Sequence, residues 1–189
     1  MNERAKAILH FWFNETTHEE RFKKNEAFDK KIRTSFFDDY QKAANNEYDN
    51  WQNNTNECLA LIILLDQFSR NLFRNNSKAF AMDTKARNIA KKAIDQEYHK
   101  KLTQDQIMFF LLPFMHSEKL DDQIYCNKLI HIYFKGHPNF KEAKKYAQLH
   151  EDIIKRFGRF PYRNKVLQRN STNEEKKYLN STHHDFFNI

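Results

Sequence analysis

The sequence predicts an all-α fold: a single domain of about eight or nine helices joined as antiparallel hairpins. Three observations carry this. The chain of 189 residues has only two Gly and three Pro, whereas an all-β domain of that size needs many tight turns that favour those residues. Asn, Asp and Ser, which join helical hairpins well, are abundant. Apolar residues recur at helical spacing, and three segments open with a hydroxyl residue followed three positions later by Glu or Gln, the spacing of a capping box.

The elements follow in order. Ala5, Ile8, Leu9, Trp12 and Phe13 form the stripe of a short first helix. Thr17 and Glu20 have capping-box spacing and start a second helix with Phe22, Phe28, Ile32 and Phe36 on its inner side. Residues 38–56 are polar and rich in Asn, and read as a helix end, a loop and a docked turn around Tyr40, Tyr48 and Trp51. Residues 57–74 form the clearest helix. Its first half, 58–65, is apolar all round and belongs at the centre of the fold. Its second half turns polar at Asp66. A charged helix spans about 79–99. Thr103 and Gln106 cap a second buried helix through 107–115, with Pro113 expected to kink or end it. Further helices cover about 121–134 and 140–157, separated by the break Gly136-His137-Pro138-Asn139 and stopped by Gly158. A short turn follows at 159–164, then a last helix capped by Thr172 and Glu175. The domain is expected over 1–180, with 181–189 as a C-terminal tail.

Composition excludes several classes. Hydrophobic residues make up 40% of the chain, too many for a disordered one. The apolar runs are far shorter than the roughly 20 residues that span a bilayer, and residues 1–20 lack the apolar core of a secretory signal. Cys58 and Cys126 lie far apart in apolar stretches and read as free buried thiols, which fits a cytoplasmic location. The net charge of +7 raises a nucleic-acid reading. It accompanies a chain rich in Lys, Asn, Phe, Ile and Tyr, a profile that biased base composition also produces, so nucleic acid is not the favoured partner.

Three segments set ionisable residues directly beside an apolar helix. In the first, Asp66 and Arg70 lie four apart on one face, as do Gln67 and Asn71. The second holds His116, Ser117 and Glu118, then Asp121 and Asp122. The third holds His150, Glu151, Arg156, Arg159, Arg163 and Asn164. Each also has a plainer reading. A buried acid must be paired, so Asp66 and Arg70 make a structural ion pair; His116 caps a helix end; and residues 155–169, with six cations and no acid, form a solvated basic face. Against that last reading stands convergence of guanidinium groups on an anion. Two glycines cannot build a Walker-type phosphate loop. No Cys or His spacing suits structural zinc, and no metal or cofactor is expected. Ser117 between His116 and Glu118 is no triad, because sequence neighbours seldom face one another.

At these segments the chain resembles a bacterial family catalogued as domain of unknown function 924. The resemblance rests on residues 59–71, 112–118, 150–154 and 156–164, with Phe11-Trp12-Phe13 and 171–175 also fitting. Two positions depart from the family pattern: Ser69 stands where Pro is typical, and Tyr162 where His is typical. Tyr162 is therefore left out of the catalytic set. The resemblance implies an all-helical, superhelical fold similar to tetratricopeptide proteins, although no repeat of about 34 residues is readable. It implies no activity.

Three functional readings follow. The first is a cleft for a small anionic ligand, lined by Asp66, Arg70, Asn71, Glu118, Arg159 and Arg163. If that cleft is catalytic, His116 and His150 are its acid and base. The second is a protein-interaction module with a concave groove for a peptide or partner helix. The third is weak, non-specific nucleic-acid binding through 155–169.

Overall fold

A computed structural model describes residues 1–181. The tail expected beyond residue 180 therefore lies, apart from Ser181, outside the described residues. The first helix, α1 (Glu3–His10), starts where the Asn2 side chain accepts from the Arg4 N–H, and it continues as a π-helical turn over Phe11–Glu15. Thr17 and Glu20 close the expected capping box on α2 (His18–Phe22). The chain then breaks, and a separate helix α3 (Glu26–Ala44) begins at Asn25, which caps the Phe28 N–H. Phe22 thus lies outside the helix that buries Phe28, Ile32 and Phe36, and its ring is 47% exposed. The Asn-rich stretch after α3 ends in a 3-10 turn, Asp49–Asn53, that docks Trp51 into the core.

The central rod is α4 (Thr55–Ile62), which runs through a π-helical stretch, Ile63–Phe68, into a last α-helical turn, Ser69–Leu72. It begins two residues earlier than the apolar pattern indicates, because Asn54 caps the N–H groups of Asn56 and Glu57. Helices α1, α3, α5 (Asp83–Asp95) and α6 (Gln104–Met115) all pack against it. That enclosure is what a run apolar on every side requires. The charged segment expected as one helix over 79–99 is instead a 3-10 turn (Ser77–Phe80), then α5, then a second 3-10 turn (Tyr98–Lys101), interrupted at Glu97 in the left-handed region.

Helices α5, α6, α7 (Leu120–Phe134) and α8 (Phe140–Phe157) pack each on the next, as short connections between helices dictate. Pro113 sits in the last turn of α6, and the helix ends two residues later, at Met115. Gly158 at φ +68° terminates α8, its N–H donating to the Ile154 carbonyl, a C-terminal cap that favours glycine. A 3-10 turn, Pro161–Arg163, and α9 (Asn173–Asn180) complete the chain. With the rod 55–72 taken as one helix, the described residues hold nine helices and no strand. Both cysteines are buried and free. No helix among the described residues is long and apolar enough to cross a membrane.

Candidate functional site

The π-helical turn at 63–68 shifts the helical register just where the sequence of the rod turns polar. Such turns add a residue to the helix and recur at functional sites. Here the turn carries Asp66, which is completely buried. Its carboxylate receives Nδ1–H of His116 at 2.8 Å and the side-chain amide of Gln67, and Arg70 Nη1 lies 3.4 Å away. Arg70 Nη2 reaches in turn to Asp83 at the start of α5, 3.1 Å away. Arg163 Nη1 approaches the same Asp83 carboxylate at 3.4 Å. Six groups from four separate parts of the chain thus form one network.

Burial pushes the Asp66 carboxyl up, but Arg70, His116 and the hydrogen bonds it accepts outweigh this and hold it below the usual carboxylate range. Burial also pushes the His116 pKa down, helped by Arg70 and opposed by Asp66. A neutral His116 that donates Nδ1–H to Asp66 carries its lone pair on Nε2. That nitrogen accepts no hydrogen bond from the described residues, and the ring borders an open cleft of about 360 Å³.

The cleft lies between the 77–80 turn, the start of α5, the end of α6 and the 161–163 turn. Arg163 forms part of its wall and is only 4% exposed. Its guanidinium lies against the rings of Phe80 and Phe160, 4.5 and 4.6 Å from their centroids, where cation–π attraction favours it. Its Nε and Nη2 are buried and have no hydrogen-bond acceptor among the described residues. Gln123 fixes the other wall. Fully buried, it donates to the carbonyls of Phe114, Met115 and Ser117, tying down the segment that carries His116.

The structure therefore brings together Asp66, Arg70, His116 and Arg163. His150 lies just behind them. Its Nδ1–H donates to the Tyr146 carbonyl at 2.8 Å, and its ring meets Phe160 edge-on. Burial drives its pKa down to about 3, with His116, Arg163 and Arg70 contributing and the Tyr146 carbonyl opposing. Glu118 is at the rim, but its carboxylate is occupied by both Arg169 Nη atoms and the Phe160 N–H. Asn71 and Arg159 are elsewhere: Asn71 donates to Asp29 on α3, and Arg159 grips Glu175. Sequence reasoning missed Phe80, Asp83, Arg87 and Gln123. Asp83 and Arg87, which both line the cleft, belong to a segment that reads only as a charged helix over about 79–99, and nothing local marks them. Gln123 carries no charge, and its role depends on carbonyls that only the packed α6–α7 corner brings within reach.

The basic stretch 155–169 is largely neutralised. Lys155, Arg156, Arg159, Arg163 and Arg169 pair with Glu151, Glu174, Glu175, Asp83 and Glu118, all but Glu151 from other elements. Among the described residues, no three His, Cys, Asp or Glu side chains come together as metal ligands would.

The sequence model of a family described as bacterial protein of unknown function (DUF924) matches residues 8–183. The chain belongs to this family. Every member of the buried network lies inside the DUF924 match. The chain is also similar to a solved structure, a protein of unknown function (ATU0120) from Agrobacterium tumefaciens. The two are 36% identical with a TM-score of 0.86, covering 94% of this chain and 97% of that one. No curated protein matches the DUF924 chain.

Proposed function

We propose that this protein binds a small anionic ligand in the cleft between α5, α6 and the 161–163 turn. The observation that carries the reading is Arg163: a buried guanidinium with two N–H groups that no acceptor among the described residues meets. An unpaired buried donor costs about 1–3 kcal/mol, more for a charged group, and an anion in the cleft removes that cost. Arg70 adds positive charge behind it, and its own Nε is also buried and unpaired. His116 supplies the acceptor Nε2 on the same cleft, a neutral base held in orientation by Asp66. Should the bound molecule react, that nitrogen is the group to take a proton from it. Phe80 lies over both guanidiniums, on a turn where Ser77 and Lys78 are exposed.

The test is calorimetric titration at low ionic strength with phosphate, sulfate and acetate, comparing the wild type with Arg163→Gln. Saturable binding of at least one anion, lost in the variant, is the expected result. Absence of binding by all three sinks the proposal.

A further inference from the structure

Resting on that reading, we infer that the ligand is a small monocarboxylate with a neighbouring hydrogen-bond donor. Its carboxylate lies on Arg163 and its donor points to His116 Nε2.

The atoms of Arg163 without an acceptor among the described residues are Nε and Nη2. Nε and Nη2 are the two N–H groups along one edge of the guanidinium, parallel and coplanar, and such an edge matches the two oxygens of a carboxylate. The rest of the molecule uses this edge the same way. Arg74 presents Nε and Nη2 to the two oxygens of Asp29 at 2.7 and 2.8 Å, and Arg159 presents them to Glu175 at 2.7 and 2.9 Å. Arg4 does so with Asp39. In Arg163 the third nitrogen, Nη1, is directed to Asp83 instead, leaving the edge for a ligand.

Shape and charge then separate carboxylate from phosphate. The Phe80 and Phe160 rings both stand against the guanidinium, 4.5 and 4.6 Å from it at their centroids. A planar anion in the plane of the guanidinium stays clear of rings held this close, whereas a tetrahedral one sets oxygens out of that plane and toward them. The buried network is also self-compensating: Arg70 and Arg163 carry two positive charges, Asp66 and Asp83 two negative ones, and His116 is neutral. A single added negative charge is tolerated there; inorganic phosphate, a mixture of mono- and dianion at neutral pH, brings more negative charge up against Asp83. Finally, the cleft offers an acceptor in His116 Nε2, which a hydroxyl on the ligand would satisfy.

The experiment is titration calorimetry in chloride-free buffer with propionate, lactate and inorganic phosphate, combined with ¹⁵N NMR of the His116 ring. Lactate is expected to bind more tightly than propionate, and propionate more tightly than phosphate. Lactate should also shift the His116 Nε2 resonance, and propionate should leave it in place. Arg163→Lys keeps the charge but not the parallel edge, and should weaken lactate by about ten- to a hundredfold, the loss of one charge-assisted hydrogen bond. Lys165→Gln, at an exposed cation away from the cleft, should leave the affinity unchanged and so controls for non-specific attraction. Thermal unfolding of each variant confirms that it is folded. Phosphate binding as tightly as the carboxylates overturns the carboxylate assignment while the anion cleft stands. Equal affinity for propionate and lactate with no His116 shift overturns the donor assignment. If nothing binds, both this inference and the anion cleft fall.

Discussion

Removing the charge of Asp66 is the most direct challenge to the buried network. The carboxylate is completely buried, accepts from His116 and Gln67, and stands 3.4 Å from Arg70. In Asp66→Asn the shape is nearly kept, but the Arg70 guanidinium, itself 4% exposed, is left with Asp83 as its only acid among the described residues. Breaking a buried ion pair by removing one partner costs about 3–5 kcal/mol, because the other charge stays desolvated. Asp83 still compensates in part, so the lower end, about 3 kcal/mol, is expected here. For a chain of this length that corresponds to a fall of roughly 6–12 °C in Tm. Urea unfolding at pH 7, followed by helix circular dichroism, measures it. Because apolar replacement of both members of a buried pair is often neutral, the double variant Asp66→Asn/Arg70→Met should recover much of the loss. The cycle of the two single variants and the double then yields the coupling directly. A cost under about 1 kcal/mol for Asp66→Asn would show that the pair is solvated, and the account of the network would fail with it.

Two further outcomes follow from other buried groups. His150 is neutral in the folded protein, with its pKa driven from 6.5 down to about 3, so between those values the unfolded chain binds the extra proton. Stability should therefore fall as pH drops through that window, by about 1.4 kcal/mol per pH unit from this group. His150→Gln should flatten the slope of denaturant midpoints against pH, and an unchanged slope would contradict the burial argument. Cys58 and Cys126 are buried, and burial alone pushes the Cys58 thiol up to about 12. Neither should react with a thiol-specific reagent at pH 8 until denaturant is added, and rapid labelling of the native protein would refute their packing.

Most of the fold was legible because it rests on local signals. The three capping boxes at Thr17, Thr103 and Thr172 form as their spacing indicates. Gly158 stops α8 where expected, since few other residues take its backbone conformation cheaply. Where the reading slipped, a local competitor intervened: Asn25 restarts the helix that was expected to continue from Phe22, and Glu97 turns left-handed after α5. Half of the candidate site was legible as well. Asp66, Arg70, His116 and Arg163 were named because polar residues attached to apolar helices must be buried with them. Asn71, Glu118 and Arg159 were named on the same grounds, yet they are bound to Asp29, Arg169 and Glu175. Partner choice among so many acids and bases depends on which helices meet.

The sequence alone thus determined the helical class, the caps and the central position of residues 58–65, because these follow from periodicity and nearest-neighbour backbone chemistry. Only the tertiary structure decided that Asp66 meets His116 fifty residues away, and that Asp83 links Arg70 to Arg163. It alone left one edge of Arg163 without an acceptor among the described residues. Those facts depend on the order in which α4, α5, α6 and the 161–163 turn pack, and long-range packing of that kind is not written at any single position of the chain.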